Sequence, residues 1–398
     1  MKNLFIVIGF LVLVAGRAEP ADVGPHWVGT WGTAPQLMEP RNLPPPGLTS
    51  NTLRQVVHIS IGGKKVRVHF SNAFGNGPLA LAAVRAAVSV GGSAIKTETE
   101  KALTFSGQPS VTIPAGETIF SDALDFDLAP LSDVAVTIYF HEMPRDVTGH
   151  PGSRTTSFLE AGDAVSAAEL PAAARTPHWY GLTGIDVLAE NPAAAIVTLG
   201  DSITDGRGSE TDKNNRWPDD FANQLQTHAG TQTLAVLNEG IGGNCVLRGG
   251  LGPTAAARFD RDVLGQASVR WLIVLEGVND IGGSRGTNST VADDLIAAYQ
   301  KFIDQAHAKN IRVFGGTITP FGNSFYDSPS HETARQTVNA WIRNGGKFDA
   351  VIDFDAAVRD PQNPSKLLPA ADSGDHLHPN VNGYQMMADC VDLKLFEN

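Results

Sequence analysis

Short runs of alternating apolar and polar residues fill the first half of the chain, and this alternation is the period of a β-strand with one buried face. The clearest example is residues 65–70, where three apolar side chains alternate with polar ones. A similar run lies at residues 55–61, and Gly62-Gly63 between the two runs predicts a hairpin. Further strands are predicted at residues 80–90, 102–105, 110–113 and 134–140. Their spacing, with turns that contain proline and glycine, predicts a β-sandwich or jelly roll.

The pattern changes near residue 185. From Ala193 onward, apolar runs of strand length alternate with stretches that have the 3.6-residue period of a helix. Strands are predicted at residues 194–199, 233–237, 269–275, 311–317 and 348–354, and helices at residues 217–229, 292–309 and 331–344. This order predicts a mostly parallel sheet with helices on both faces. We therefore expect a β-rich domain over residues 19–185 and an α/β domain over residues 186–398, with the alanine-rich stretch 160–175 in the connection.

The first 18 residues have the features of an export signal. Lys2 precedes an apolar run from Leu4 to Val14, and small residues flank Arg17 before a predicted cleavage site after Ala18. The apolar run is too short to span a bilayer comfortably. We expect a signal peptide over residues 1–18 and a secreted protein, in the periplasm or outside the cell. No later segment is apolar for long enough to predict a transmembrane helix, so we expect no stable membrane insertion.

The composition is that of a globular protein, with 42% hydrophobic and 18% charged residues. A formal net charge of −12 argues against a nucleic-acid partner, because phosphate backbones are bound by basic surfaces. Two cysteines, Cys245 and Cys390, are too few for a disulfide framework, and the sequence leaves open whether they pair with each other.

Four polar motifs lie in the second half of the chain, and three of them directly follow predicted strands. They are Gly200-Asp201-Ser202, Asn238 to Gly243, Gly277-Val278-Asn279-Asp280, and Asp375-His376-Leu377-His378. The last motif follows the final strand and precedes a helix. Because the carboxyl ends of parallel strands lie at one edge of a sheet, we expect the four motifs to converge there.

These residues together suit acyl transfer by a serine nucleophile. A serine hydroxyl needs a base to accept its proton, and a histidine base needs a carboxylate to orient and stabilise it. Ser202, His378 and Asp375 can fill these three roles, since Asp375 and His378 lie three residues apart and fit a single turn. The backbone N–H groups of Ser202 and Gly243 and the side-chain amide of Asn279 can stabilise the oxyanion that forms.

In this order, the four motifs resemble those of the SGNH superfamily, also called the GDSL-like lipases and esterases. The resemblance covers about the second half of the chain and implies a flavodoxin-like α/β/α fold that uses neither a metal nor a cofactor. It also implies that Ser202 is the nucleophile, that Asp375 and His378 are the acid–base pair, and that Gly243 and Asn279 are oxyanion donors.

Two upstream segments look like features of larger secreted members of this group, in which a β-rich domain precedes the hydrolase domain. They are Trp27-Val28-Gly29-Thr30-Trp31 and Ser71-Asn72-Ala73-Phe74-Gly75. Some of those esterases are associated with xylan-degrading systems. The resemblance therefore implies a carboxylic ester hydrolase whose substrates are short acyl esters, namely acetyl groups on carbohydrate of the hemicellulose or pectin type. The sequence departs from the pattern of this group at Cys245, where a larger or basic residue is expected. Because Cys245 lies close to Gly243, this difference affects the expected substrate preference and not the triad.

Several alternatives remain open. Gly242 is a second candidate oxyanion donor, and Ser284, in Gly282-Gly283-Ser284-Arg285-Gly286, is a second candidate nucleophile. His376 and His378 with their neighbouring aspartates also have the residue types of a zinc site, but we expect no metal and expect His376 to form a wall of the site. Alternative functions of the protein are those of a lipase or an acyltransferase, because both can use the same triad. A non-catalytic carbohydrate-binding protein with a degenerate hydrolase domain is a further alternative.

Overall fold

The structure is a computed structural model that describes residues 24–44, 46–285 and 288–397. The predicted signal peptide at residues 1–18 lies outside the described residues. The strands are β1 His26–Gly32, β2 Gln36–Leu37, β3 Asn51–His58, β4 Gly63–Ser71, β5 Leu79–Gly91, β6 Ala94–Ile95, β7 Lys101–Ala102, β8 Val111–Ile113, β9 Thr118–Phe120, β10 Leu124–Leu128, β11 Asp133–Glu142, β12 Thr148–His150, β13 Ser157–Ala161, β14 Ala174–Thr176, β15 Trp179–Tyr180, β16 Leu182–Ala189, β17 Ala194–Gly200, β18 Leu234–Gly240, β19 Val269–Leu275, β20 Arg312–Gly316 and β21 Ala350–Ile352. The α-helices are α1 Ser202–Asp205, α2 Trp217–Thr227, α3 Ala255–Phe259, α4 Val278–Gly282, α5 Asn288–His307, α6 Pro329–Asn344, α7 Phe354–Val358 and α8 Val381–Asp389.

Two antiparallel sheets form most of the first half. One sheet has the order β1-β16-β4-β10, with β9 also paired to β4. The other has the order β14-β13-β3-β11-β5-β6, with β7 and β8 also paired to β5. Apolar side chains from both sheets, among them Val57, Val68 and Val136, belong to one hydrophobic core, as in a β-sandwich. The predicted all-β region is therefore confirmed.

The predicted hairpin at Gly62-Gly63 is wrong. The strands on either side, β3 and β4, lie in different sheets and do not pair with each other. The two glycines instead carry the chain from one sheet to the other. A Cβ atom at Gly62 would lie 2.2 Å from the carbonyl oxygen of Leu128, so this crossing requires glycine for the close approach of two backbones.

The alanine-rich stretch 160–175 is also not the connection that its composition predicted. It lies between β13 and β14, which pair with each other inside the larger antiparallel sheet. The chain then returns to the smaller sheet as β16, which pairs with both β1 and β4 and ends at Ala189. The antiparallel sheet thus extends four residues beyond the predicted boundary at residue 185.

The second half contains a five-stranded parallel sheet of order β18-β17-β19-β20-β21. Numbered along the chain this order is 2-1-3-4-5, which is the flavodoxin-like arrangement. Helices α5 and α6 pack together and against β20, while α2 packs against α8 and β18. The predicted flavodoxin-like α/β fold is confirmed. In the part of the chain that is described, no helix combines the length and apolar character that crossing a membrane requires.

The β region packs directly against the edge of the parallel sheet. Strand β1 lies beside the edge strand β18, and Thr33, just after β1, forms a parallel bridge with Asn238. Gly29 of the Trp27–Trp31 motif permits this approach, because a Cβ atom there would lie 2.9 Å from the side chain of Leu237. A single hydrophobic core extends through both regions. The β region is therefore packed directly against the α/β region, beside edge strand β18 of the parallel sheet.

Candidate active site

Ser202 lies at the carboxyl end of β17, where the chain turns into the short helix α1. The carboxylate of Asp201 caps this helix by accepting a hydrogen bond from the backbone N–H of Ile203 at 3.0 Å. The amide of Asn238, at the end of β18, donates to the carbonyl oxygen of Thr204 at 2.8 Å. The turn that presents Ser202 is thus held from its own strand and from the neighbouring strand.

The structure brings Ser202, His378 and Asp375 into one hydrogen-bonded chain. The Oγ atom of Ser202 lies 2.8 Å from Nε2 of His378, and Nδ1 of His378 lies 2.6 Å from Oδ2 of Asp375. The other carboxylate oxygen of Asp375 accepts from the backbone N–H groups of Leu377 and His378, at 3.1 and 2.9 Å. This single turn orients the carboxylate beneath the ring, so Nδ1 carries the hydrogen and Nε2 is free to accept the proton of Ser202.

The electrostatics of the pair suit a base at neutral pH. Burial opposes ionisation of Asp375, but hydrogen bonds from the backbone and imidazole of His378 outweigh it and lower the pKa of Asp375 to about 2. Burial lowers the pKa of His378 below its ordinary value of 6.5, against the opposing effect of Asp375. The positive charges of Arg207 and Arg154 lower it further. Asp375 is therefore ionised and His378 neutral at pH 7.

The three predicted oxyanion donors, Ser202, Gly243 and Asn279, line one cavity, which His378 also lines. Among the described residues, the backbone N–H groups of Ser202 and Gly243 have no hydrogen-bond acceptor. Gly243 has a φ of 72°, a left-handed conformation that favours glycine. Gly242 also lines the cavity, and its N–H likewise has no acceptor in the described part of the chain, so both glycines remain candidate donors.

The side-chain amide of Asn279 is oriented by two hydrogen bonds. Its Nδ2 atom donates to the carbonyl oxygen of Asn244 at 2.8 Å, and its Oδ1 atom accepts from the hydroxyl of Tyr326 at 3.1 Å. One hydrogen of Nδ2 is left for another acceptor. Gly282 makes room for this arrangement, because a Cβ atom there would lie 2.1 Å from the ring of Tyr326. Tyr326 gave no signal in the sequence, since it follows no strand and belongs to none of the four motifs.

The buried side chain of Arg258 forms hydrogen bonds with the ends of β17 and β18 and with Asn244. Its guanidinium donates to the carbonyl oxygens of Glu239 at 2.6 Å and Gly200 at 3.0 Å, which are at the ends of β18 and β17. Its Nε atom donates to Oδ1 of Asn244 at 3.0 Å. Since Asn244 also holds Asn279, one arginine fixes the spacing between the serine turn and the oxyanion donors.

The β region supplies part of the wall of the site. The cavity has a volume of about 270 Å³, and its lining includes Gln36, Asn42 and Arg154 from the first half of the chain. Beneath it, His150 at the end of β12 lies 2.9 Å from the carboxylate of Asp205, the last residue of α1. The sequence did not indicate any of these residues, because none belongs to a motif and their neighbours in space are distant in the chain.

The structure decides one prediction, about His376, and one open question, about the two cysteines. His376 pairs with Asp372 at 2.6 Å and does not line the cavity, so the expectation that it forms a wall is wrong.

Cys245 is buried, Cys390 is exposed, and the two thiols are not paired with each other. In the part of the chain that is described, no group of three or more His, Cys, Asp or Glu side chains is arranged to hold a metal ion.

Ser284, the alternative nucleophile, lies outside this constellation. It lines a neighbouring cavity rather than the one that contains Ser202. The nearest imidazole contact is made by His331, whose Nε2 atom lies 3.4 Å from the carbonyl oxygen of Ser284 and not from its hydroxyl. Within the described residues no base is hydrogen-bonded to the Ser284 hydroxyl, whereas Ser202 has one.

Part of the chain is similar to a known protein family. Residues 198–386 match the GDSL-like lipase/acylhydrolase family. Comparison with curated proteins gives no match.

Several solved structures are similar to the chain. An acetylxylan esterase from Geobacillus stearothermophilus has 21% identity and a TM-score of 0.38, over 50% of this chain and 91% of that one. A GDSL-like lipase from Bacteroides thetaiotaomicron has 18% identity and a TM-score of 0.36, over 49% and 84%. A family two carbohydrate esterase from Clostridium thermocellum, solved with cellohexaose, has 14% identity and a TM-score of 0.38, over 93% and 98%.

Proposed function

We propose that this chain, whose residues 198–386 form a GDSL-like lipase/acylhydrolase domain, is a secreted serine esterase that removes short acyl groups from carbohydrate. The single observation that carries the proposal is the hydrogen-bonded chain from Ser202 through His378 to Asp375, which opens into a cavity with unpaired oxyanion donors. The favoured substrates are acetyl esters on polysaccharide of the hemicellulose or pectin type.

In the first half of the reaction, Nε2 of His378 accepts the proton of Ser202 while Oγ attacks the ester carbonyl carbon. The carbonyl oxygen becomes an oxyanion, which the N–H groups of Ser202 and Gly243 and the amide of Asn279 stabilise. When the intermediate collapses, the bond to the alcohol breaks and His378 delivers its proton to the leaving oxygen. The products are the free alcohol and an acyl group bound to Ser202.

In the second half, a water molecule takes the place of the alcohol. His378 accepts a proton from the water as it attacks the acyl carbon, and a second oxyanion forms in the same place. Collapse breaks the bond to Ser202 Oγ, which recovers its proton from His378. The acid is released and the enzyme is regenerated, while Asp375 stays ionised and stabilises the imidazolium in both halves.

The dimensions and lining of the cavity support a short acyl group on a polar alcohol. Its volume of about 270 Å³ is at the small end for a ligand pocket. Polar side chains, including Gln36, Asn42 and Arg207, line it together with apolar ones such as Leu251 and Phe325. The predicted signal peptide supports secretion to the periplasm or the extracellular medium, where polysaccharide would be met.

A substrate screen tests this proposal. Purified protein should release acetate from acetylated xylan or pectin, and its kcat/KM on 4-nitrophenyl esters should fall as the acyl chain is lengthened from acetate to dodecanoate. Ser202→Ala should abolish both activities, while Ser284→Ala serves as the matched control and should retain them. A preference for the long-chain esters, or full activity of Ser202→Ala, would contradict the proposal.

A further inference from the structure

Two arginines face the candidate active site from opposite regions of the chain. Arg154 lies in the turn between β12 and β13 of the β region, and Arg207 lies two residues after α1. Both line the cavity that contains Ser202 and His378. Their positive charges act on the imidazole of His378, which places both of them within electrostatic range of the reacting groups.

Neither arginine has a close carboxylate partner. In the described part of the chain the guanidinium of Arg154 forms no ion pair and no hydrogen bond, and its Nε atom is buried without a partner. For Arg207 the nearest carboxylate oxygen belongs to Asp375, at 4.0 Å, and that carboxylate already binds His378. By contrast, the guanidinium groups of Arg335 and Arg343 each lie 2.6 Å from an aspartate.

The other charges that line the cavity are balanced. The carboxylate of Glu39 lies 2.5 Å from the guanidinium of Arg41, and that of Asp205 lies 2.9 Å from His150. Arg154 is therefore the unpaired cation beside His378, and Arg207, whose side chain is 63% exposed, has only the Asp375 carboxylate at 4.0 Å. This stands out in a chain whose 42 acidic residues exceed its 30 basic ones.

Both arginines are attached to fixed backbone. The carbonyl oxygen of Arg154 accepts from the backbone N–H of Asp212 at 2.9 Å, and the carboxylate of Asp212 binds Thr156 on the same turn. The backbone N–H of Arg207 donates to the carbonyl oxygen of Ser202 at 2.9 Å. The backbone positions of the two arginines relative to Ser202 are thus set before any substrate binds, and the guanidinium groups become ordered when an anion binds.

The positive charges of Arg154 and Arg207 beside His378 oppose the imidazolium that forms during the reaction. An anion bound between the arginines would relieve this opposition and add charge-assisted hydrogen bonds. We propose that Arg154 and Arg207 form an anion subsite that binds a carboxylate of the substrate, so that the preferred ester is carried by an acidic sugar such as a uronic acid. This inference rests on the proposed esterase function and narrows its substrate class.

An acidic carbohydrate fits the surroundings better than a lipid phosphate. The cavity that the arginines line also has the polar side chains of Gln36 and Asn42 in its wall, which can form hydrogen bonds with sugar hydroxyls. The guanidinium group binds a planar carboxylate through two parallel hydrogen bonds. A sugar carboxylate near the acetylated hydroxyl would reach the arginines while the ester lies at Ser202.

Matched substrates test the inference. Acetylated oligogalacturonide with free carboxylates is compared with the same oligomer after methyl esterification, and acetate release is followed for each. The wild-type protein should prefer the free acid by roughly tenfold or more in kcat/KM, the size of effect expected for a charge-assisted hydrogen bond. The preference should weaken as salt is added, since part of it is electrostatic.

Variants connect this preference to the two arginines. Arg154→Gln and Arg207→Gln should each reduce the ratio of the two kcat/KM values by roughly tenfold. Arg145→Gln is the matched control, because it removes one positive charge from an exposed side chain that does not line the cavity, and its ratio should be that of the wild type. Thermal unfolding curves verify that each variant is folded.

The outcomes separate this inference from the function on which it rests. If 4-nitrophenyl acetate is hydrolysed in a Ser202-dependent reaction but the free acid and its methyl ester react equally, the subsite is contradicted and the esterase function stands. An unchanged ratio in Arg154→Gln and Arg207→Gln contradicts it too, as does a higher kcat/KM on a short-chain acyl lysophospholipid than on the free acid. If no ester is hydrolysed, both proposals fail.

Discussion

The imidazole of His150 and the carboxylate of Asp205 form a buried pair that joins the β region to the helix beginning at Ser202. The Nε2 atom lies 2.9 Å from Oδ1 of Asp205, while Nδ1 lies 2.9 Å from the carbonyl oxygen of Ala34. A carbonyl oxygen only accepts, so Nδ1 must carry a hydrogen. The contact between Nε2 and Oδ1 therefore needs a second proton, shared by the pair. Both side chains are only 3% exposed, so the link between the two regions is buried.

Breaking this link should destabilise the protein. His150→Ala and Asp205→Ala should each lower the free energy of unfolding by about 3–5 kcal/mol, because each leaves a polar or charged partner buried alone. Urea denaturation measures the change. The double variant should cost clearly less than the sum of the single variants, since both remove the same interaction.

The control for this cycle is the more exposed pair His58–Asp133, whose side chains are 17% and 42% accessible. His58→Ala should cost about 1 kcal/mol or less. Additive effects of His150→Ala and Asp205→Ala would show that the two side chains are not energetically coupled.

Removing the amide of Asn279 should slow the chemical step. Asn279→Ala should lower kcat by roughly 100–1000-fold, because the amide acts on an oxyanion that is absent from the ground state. Tyr326→Phe, which leaves the Asn279 amide without one of its two orienting hydrogen bonds, should lower kcat by a smaller factor, roughly 3–10-fold. Steady-state kinetics on 4-nitrophenyl acetate measures both. A change confined to KM would contradict the assignment of Asn279 to the oxyanion.

The lowered pKa of His378 predicts where activity is lost in acid. Only neutral His378 can accept the proton of Ser202, so kcat/KM should fall as pH drops through the pKa of His378. Because burial, with the charges of Arg207 and Arg154, lowers that pKa, the midpoint should lie below 6.5. Arg154→Gln removes one of these charges, so the midpoint should move to higher pH. A midpoint above 6.5 in the wild type would show that Asp375 outweighs burial.

Glu276 predicts how stability depends on pH. Burial, with the charges of Asp201 and Asp280 and against that of Arg258, raises the pKa of Glu276 to about 8. An unfolded glutamate has a pKa of about 4.3, so between these values the folded state holds more protons and stability falls as pH rises. Glu276→Gln removes this proton uptake. It should therefore stabilise the protein at pH 9 by on the order of a few kcal/mol, and by less at pH 5.

Urea denaturation at the two pH values measures this difference. Glu98→Gln, on an exposed side chain paired with Lys96, is the control and should leave the pH dependence unchanged. Equal effects of Glu276→Gln at pH 5 and pH 9 would mean that Glu276 is ionised in the folded protein at both.

The secondary structure of the α/β region was predictable because its strands are buried on both faces. A strand of this kind is mostly apolar, and the predicted run 269–275, in which only Arg270 is charged, has the same bounds as β19. The candidate site was predictable for a related reason. Ser202 and Asn279 follow strands, the Asn238–Gly243 motif lies at the end of another, and parallel strands bring their carboxyl ends together. Asp375 and His378 share one turn, so their contact is local in sequence.

The features that could not be predicted are strand pairings and contacts between residues that are far apart in the sequence. The alternation in β3 and β4 is typical of strands, but it does not say which strands pair, and the two glycines between them suggested a hairpin that does not exist. His150 and Asp205 are 55 residues apart, and although Asp205 lies just after the Gly200-Asp201-Ser202 motif, nothing in the sequence connects it to His150. Arg154 faces the cavity only because the β region packs against the edge of the parallel sheet. Local periodicity carries no information about such packing.

Covalent labelling tests the role of Ser202 most directly. A fluorophosphonate reacts with a serine only when a base activates its hydroxyl, and mass spectrometry of the digested protein locates the adduct. One adduct should form on Ser202, it should be lost in Ser202→Ala, it should form much more slowly in His378→Ala, and it should be unaffected in Ser284→Ala. An adduct on another residue, or labelling that persists in Ser202→Ala, would contradict the assignment of Ser202 as the nucleophile.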